Sequence, residues 1–399
     1  MPRLTEELCE WTEQVSRKLP SLSSSQAKVL ALYSFGMVLT RCSGLNTVAV
    51  FLAMLLGKSE NTMRQQLREF TYDQDDKRGK KRREVAVEGC FAGLLSWVIS
   101  WWADTEKRLA LVLDATTFKD IFTVLAVSVV YRGCAIPVAW CVLPAGGKEA
   151  WKGHWLHLLD VLATAIPTGW TVLVLADRGL YAKWLYKAIV KKTWHPFLRI
   201  NVQGQVRPCD AARFRPLAAI VSEKHPTWSG EVVCFKTPKA RLETTLLARF
   251  DPVYSDPWLV LTDLSPHWAD IAWYGMRSWI EAGFKDLKRG GWHWHQTRMT
   301  DTDRAARLWL VMAVATLWVL SVGGYAEADL PPSSLPFLPP YFPYRCRPRR
   351  ASQPRLVSCF ARGILIILVA LIRNESFPFG EFCPEPWPDS PPSFPKTYP

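Results

Sequence analysis

Acidic residues are scarce in this chain: 36 Asp and Glu stand against 49 Lys and Arg over 399 residues, a net charge of +13 with an isoelectric point near 9.3. That balance argues against a cationic partner and points to a polyanion, nucleic acid first and an acidic membrane surface second. Paired cysteines are lacking as well. The ten cysteines are scattered without a single C-x-x-C, so the expected state is reduced, buried thiols. His154 and His157 are spaced i, i+3, but no Cys or further His completes a zinc set. The N-terminus has no charged-then-apolar pattern, so no secretory signal is expected. The apolar runs at 308–320 and 364–372 fall short of the roughly 20 residues that a membrane span needs. Both read as core helices of a soluble chain.

What is abundant is tryptophan, 20 residues, and aromatics interleaved with Lys and Arg suit nucleic acid better than lipid. The length allows two or three domains and a sizeable core. Residues 1 to about 100 read as helical. Within them, at about 46–70, an apolar helix ends at Gly57 and Ser59 can cap a second helix that carries Arg64, Gln65 and Arg68 outward. This is the grammar of a helix-turn-helix that enters a DNA groove. The basic run at 77–84 reads as a solvated loop or a phosphate contact.

From 108 the texture changes to strands at "RLALVLDATTF", "DIFTVLAVSVVYRG" and "CAIPVAWCVLP", a helix at 154–166, a strand "TVLVLAD", a helix "YAKWLYKAIVKK", and a strand at 195–201. The order β-β-β-α-β-α-β is that of an α/β, ribonuclease H-like mixed sheet flanked by helices. Residues 101–201 make its first part, 202–262 a β-strand insertion, and 263–325 its second part, with a long helix at 270–290. Sixteen of the 29 prolines fall in 331–399. The stretch 326–399 therefore reads as a mostly irregular tail around one short helix at 360–373.

Two of those strands end in a bare acid, Asp114 and Asp177, and in a ribonuclease H-like sheet they are neighbours. Paired carboxylates at adjacent strand tips suit hard divalent cations such as Mg²⁺ or Mn²⁺. A third acid completes a two-metal site for phosphodiester chemistry, and Asp263 and Glu281 are the candidates. On a regular helix Tyr274, Arg277 and Lys288 share a face with Glu281, at −7, −4 and +7. That stripe suits either metal with DNA phosphates or a salt-bridged helix.

Tyr274-x2-Arg277-x3-Glu281-x6-Lys288, together with "LVLDATT" and "LVLADRGLY", resembles the Y-R-E-K signature and the two Asp strands of the insertion-sequence-four family of DDE transposases. The likeness spans roughly 108–320 and includes a β insertion between the second Asp and the Glu. It implies Glu281 rather than Asp263 as the third ligand, with Asp114 bridging two Mg²⁺ ions and Asp177 and Glu281 each completing the shell of one. It implies that Arg277 and Lys288 hold DNA phosphates and that Tyr274 donates to another.

Three further sets read as DNA-facing. Arg178 follows Asp177, Lys183, Lys187, Lys191 and Lys192 stripe the next helix, and Trp292, with Trp294, His293 and His295 beside it, could stack on an unpaired base. The expected protein is a bacterial, cytoplasmic, nucleoid-associated transposase. It would work on double-stranded element ends and target DNA, as a homodimer that joins two ends. The alternatives are a ribonuclease H-like endonuclease without strand transfer and a transposase-derived DNA-binding regulator.

Overall fold

The computed structural model describes residues 2–78, 82–102, 106–146, 150–250, 256–328 and 356–388. It divides into two compact units. The first comprises Met1–Lys107, Ala115–Thr168 and Trp279–Glu385, and the second Arg108–Asp114, Gly169–Ser278 and Pro386–Pro399.

In the first unit the N-terminal helices are α1 (Pro2–Lys18), α2 (Ser24–Thr40), α3 (Leu45–Leu56), α4 (Glu60–Thr71) and α5 (Phe91–Ile99). Ser23 and Gln26 close a capping box at the start of α2, which satisfies two otherwise orphan N–H groups. The α3–α4 hairpin lies where the sequence puts it: Gly57 turns the chain at φ 61° and the Ser59 side chain accepts from Thr62 N. Ala53 and Met63 are buried inside it.

Strand β1 (Arg108–Phe118) runs from the second unit into the first, and β2 (Phe122–Tyr131) and β3 (Cys134–Pro144) pair as an antiparallel hairpin. Its two-residue turn puts Arg132 at φ 46° and Gly133 at φ 78°, the left-handed pair that matches strand twist. Helix α6 is Lys152–Ala163. Helix α9 (Thr302–Tyr325) is longer than the run read from sequence, long and apolar enough to cross a membrane, yet 94% of its most apolar stretch is buried in the protein. It is the core helix. Trp318 stacks on Trp11 at 4.9 Å between ring centres, and buried Arg307 donates to Thr71 O, Asp73 and Glu84. The N-terminal helices therefore belong to this unit and share its core.

The described part of the C-terminal stretch holds the one short helix read there from the sequence and otherwise irregular chain. Helix α10 (Cys359–Arg373) packs on α9 where a Cβ at Gly363 would meet Val319 O at 1.9 Å. Only glycine allows that approach. Phe377 and Phe379 pack on Trp318, and residues 329–355 and 389–399 of the expected tail lie outside the described residues. The nine described cysteines are thiols, but Cys9 and Cys209 are exposed rather than buried.

The second unit is built on a mixed sheet. Its remaining strands are β4 (Thr171–Ala176), β5 (His195–Arg199), β6 (Gln205–Pro208), β7 (Arg215–Pro216), β8 (Thr227–Cys234), β9 (Leu242–Arg249) and β10 (Trp258–Thr262). β1, β4 and β5 run parallel, with α7 (Lys183–Lys191) between β4 and β5. β10 then pairs antiparallel with β5, followed by β9, β8, β6 and β7. The insertion is thus no separate subdomain: its strands extend the same sheet. The α/β architecture is consistent with a ribonuclease H-like DDE domain.

Candidate active site

In the second unit, β1 and β4 are in parallel register to their last pair, Leu113 with Ala176. The next residues are Asp114, still inside β1, and Asp177, just past the end of β4. Residues at one level of a parallel pair share a face, so the two carboxylates neighbour each other where the pairing stops. A single guanidinium closes them: Arg277 Nη2 lies 2.9 Å from Asp114 Oδ2 and 3.6 Å from Asp177 Oδ2. Arg277 is only 14% exposed, so its charge is poorly screened and balances two acids that would otherwise repel each other. Asp177 Oδ1 also accepts from Arg178 N at 2.6 Å, while the Arg178 side chain leaves the site for Asp256 at 2.6 Å. Sequence pattern gives no sign of Asp256, which lies 78 residues further on in an unpatterned loop.

Tyr274 is buried, its ring edge-on to Trp258 at 5.3 Å. Burial first, and then the negative charge of Asp177, push its phenol well above the ordinary value, against Arg199, which donates to it. A phenol held this way stays protonated. It is buried, and not presented to a phosphate as the resemblance implies. Asp263, the other acid considered for the third ligand, sits 3.0 Å from His195 Nδ1.

The segment expected as one helix at 270–290 has three successive windings. It is 3₁₀ over Ile271–Ser278, α-helical over Trp279–Lys285 (α8) and π-helical over Asp286–Gly290, and it breaks at Lys288 (φ −92°, ψ −110°). The shared stripe expected at 100° per residue therefore does not exist, because the residues are placed by three different turns. In the first unit Glu281 stands half-buried on α8. Lys288 Nζ donates to Thr116 Oγ1 at 2.7 Å and Thr117 O at 3.0 Å, at the end of β1 two and three residues past Asp114. Burial lowers its pKa. Trp292 is a correction: it is fully buried and donates Nε1 to Thr316, so it packs in the core and offers no ring to a base. Trp294 is buried too.

Elsewhere, Arg64 is exposed and donates to Asn46, Arg68 lies over Tyr72, and Gln65 donates to Glu69. These three stay on the hairpin's outer helix.

The donor chemistry fits a divalent cation at the two Asp residues. Two hard carboxylate oxygens from different strands converge on one positively charged nitrogen, which stands where a cation would be welcome. Among the described residues, no three His, Cys, Asp or Glu side chains are gathered as a ready-made metal cluster.

Residues 147–318 match the family model described as the transposase DDE domain. The match supports a DDE transposase. It covers less than half of the chain and begins after Asp114, but includes Asp177, the whole of Tyr274 to Lys288 and most of α9. No curated protein matches the chain.

Proposed function

We propose that this chain is a DNA transposase of the insertion-sequence-four kind, which binds the two ends of its element as a homodimer in the bacterial cytoplasm and cuts and rejoins them. The observation that carries the reading is the pair Asp114 and Asp177, level with each other where the parallel pairing of β1 and β4 stops, and closed by Arg277. An acid pair held at the protein surface by a buried cation does little for stability, whereas phosphodiester exchange needs it. Asp114, Asp177 and Glu281 are the residues that would hold two Mg²⁺ ions, or Mn²⁺ in their place. When bound, these would supply charge neutralisation and an activated oxygen nucleophile.

The chain's own groups supply positioning. Arg277 orients both carboxylates and offers a planar fork to a phosphate. Lys288, braced on Thr116 and Thr117, contributes a point charge for DNA. Arg64, Gln65 and Arg68 on the outer helix of the hairpin read the end sequence, since base contacts specify and phosphate contacts position. No side-chain nucleophile is needed: water cuts, and the released 3′-hydroxyl attacks the target.

The test is strand transfer of a labelled duplex carrying the inverted repeat that flanks the gene. Joined products in plasmid DNA are the expected result. Nicking without joining would instead make the protein a ribonuclease H-like endonuclease, and end binding without nicking a regulator.

A further inference from the structure

The extension of the sheet carries a basic surface apart from both the acid pair and the helical hairpin. Between residues 205 and 241 seven Lys and Arg stand against three acids. Six of these cations gather by topology. Arg215 on β7 pairs with Val206 on β6, Arg207 pairs across to Val233 on β8, Arg213 lies just before β7, and the turn from β8 to β9 carries Lys236, Lys239 and Arg241. Arg207 and Arg241 both approach the ring of Phe214, at 5.7 and 6.0 Å, within cation–π range. Two arms separate in sequence thereby converge on one aromatic. Arg241 also donates to Lys236 O at 3.1 Å, closing the turn. None of the six forms an ion pair among the described residues. A folded chain that gathers six cations where they outnumber the acids of the same strands and turns is set up for an external polyanion.

The surface is also tied to the catalytic turn. Phe235 packs on Tyr181 at 5.7 Å between ring centres, and Lys183 Nζ donates to Lys239 O at 3.0 Å. Leu180 N in turn bonds back to Asp177 O. The turn that carries Lys236 and Lys239 is therefore in contact with the segment that follows Asp177.

Duplex DNA suits this surface better than a single strand. Single-strand binders stack bases on exposed rings, but Phe214 and Phe235 are half-buried and Phe214 already has two guanidiniums near it. What remains exposed is charge, which reads phosphates without regard to base sequence.

We infer that the β6–β9 end of the sheet is a second DNA surface that grips the duplex backbone. This inference rests on the transposase reading. It adds to that reading a part of the protein that holds duplex DNA through its phosphates, as distinct from the helical hairpin that selects the ends.

The experiment uses the full chain with Arg213, Arg215, Lys236, Lys239 and Arg241 changed to Gln, and a milder pair, Lys236→Gln with Lys239→Gln, in case the larger set misfolds. Affinity for a scrambled 40-base-pair duplex is measured against salt. The slope of log affinity against log salt is expected to fall by about 0.9 for each phosphate no longer neutralised, with preference for the inverted-repeat end over scrambled duplex retained. Cleavage of an intact element end with little flanking DNA should stay near wild type. Unchanged slope and affinity in both variants would overturn the inference while leaving the transposase reading intact, as would a loss confined to single-stranded DNA. A wild-type chain that binds no duplex would overturn both.

Discussion

The helix-turn-helix at Leu45–Thr71 and the segment Ile271–Gly290 hold their polar side chains by opposite means. In the hairpin the backbone stays α-helical between a glycine turn and a serine cap, Met63, Leu67 and Phe70 fill the inside, and Arg64 and Arg68 face water with light local partners. In the second segment the winding passes from 3₁₀ to α to π, and Tyr274, Arg277 and Lys288 turn inward to an arginine, two aspartates and the end of β1. The first region can lose a cation and remain folded, because exposed charge pairs are worth little. The second cannot, because removing one partner of a part-buried pair leaves the other uncompensated.

The sharpest way to break this contrast is Arg277→Ala. It should cost about 3 kcal/mol of stability and lower cleavage by more than about a hundredfold, read by urea unfolding and by cutting of a labelled, intact element end. Arg277→Lys should keep most of the fold and of the DNA binding yet lose most of the cleavage, because a point charge cannot serve two carboxylates as a fork does. Lys288→Arg should be milder, since its Nζ contacts need charge and a donor more than shape. If Lys288→Arg is the more damaging substitution, the roles given to the two cations are reversed.

Asp286, inside the π turn, offers a second test. Burial pushes its carboxyl up to about 7, with Lys285 pulling back. Between the unfolded value near 4 and that folded value the native state holds a proton that the unfolded chain has released. Stability should therefore fall as pH rises through this window and level off above it. Asp286→Asn should flatten the dependence and stabilise the protein at pH 8 by up to about 4 kcal/mol, measured by denaturant unfolding at pH 4.5 and 8. An unaltered pH slope would contradict the assigned burial.

The smallest structural effect belongs to the hairpin. Arg64→Ala should change stability by less than about 0.5 kcal/mol, yet cost about 1–3 kcal/mol of discrimination between the element end and scrambled duplex. Equal weakening on both DNAs would reduce the outer helix to a phosphate surface and erase the contrast with the catalytic segment.

Sequence pattern sees the two regions unequally for the same physical reason. The hairpin and the strands that carry the chain to Asp114 and Asp177 are legible because each is shaped by its own residues: an apolar period, a Gly at positive φ, a Ser cap, a buried apolar run that gives way to an acid. The segment after Ile271 is shaped by partners far away in the chain, so extrapolating one helical period puts Tyr274 and Lys288 on a stripe that the backbone does not form. Trp292 misleads for a related reason. A tryptophan beside glycines and histidines looks exposed in sequence, but its indole N–H is satisfied by Thr316 inside the core. The insertion is visible as strands, but its union with the main sheet depends on β10 returning to β5, a long-range pairing with no local signature. Helix α10 is legible, though its docking through Gly363 is not.

At the centre stands the pair Asp114 and Asp177, read as acids for metal-dependent DNA chemistry rather than as a salt bridge to Arg277 alone. The most direct measurement is cleavage of a labelled element end by wild type and Asp177→Ala across a Mg²⁺ titration, with end binding followed in the same samples. Wild-type cutting should rise with Mg²⁺ and vanish in chelator. Asp177→Ala should bind the end nearly as well as wild type and show no cutting at any Mg²⁺ concentration. Wild-type cutting in chelator, or an Asp177→Ala protein that cuts at the wild-type rate, would contradict that role.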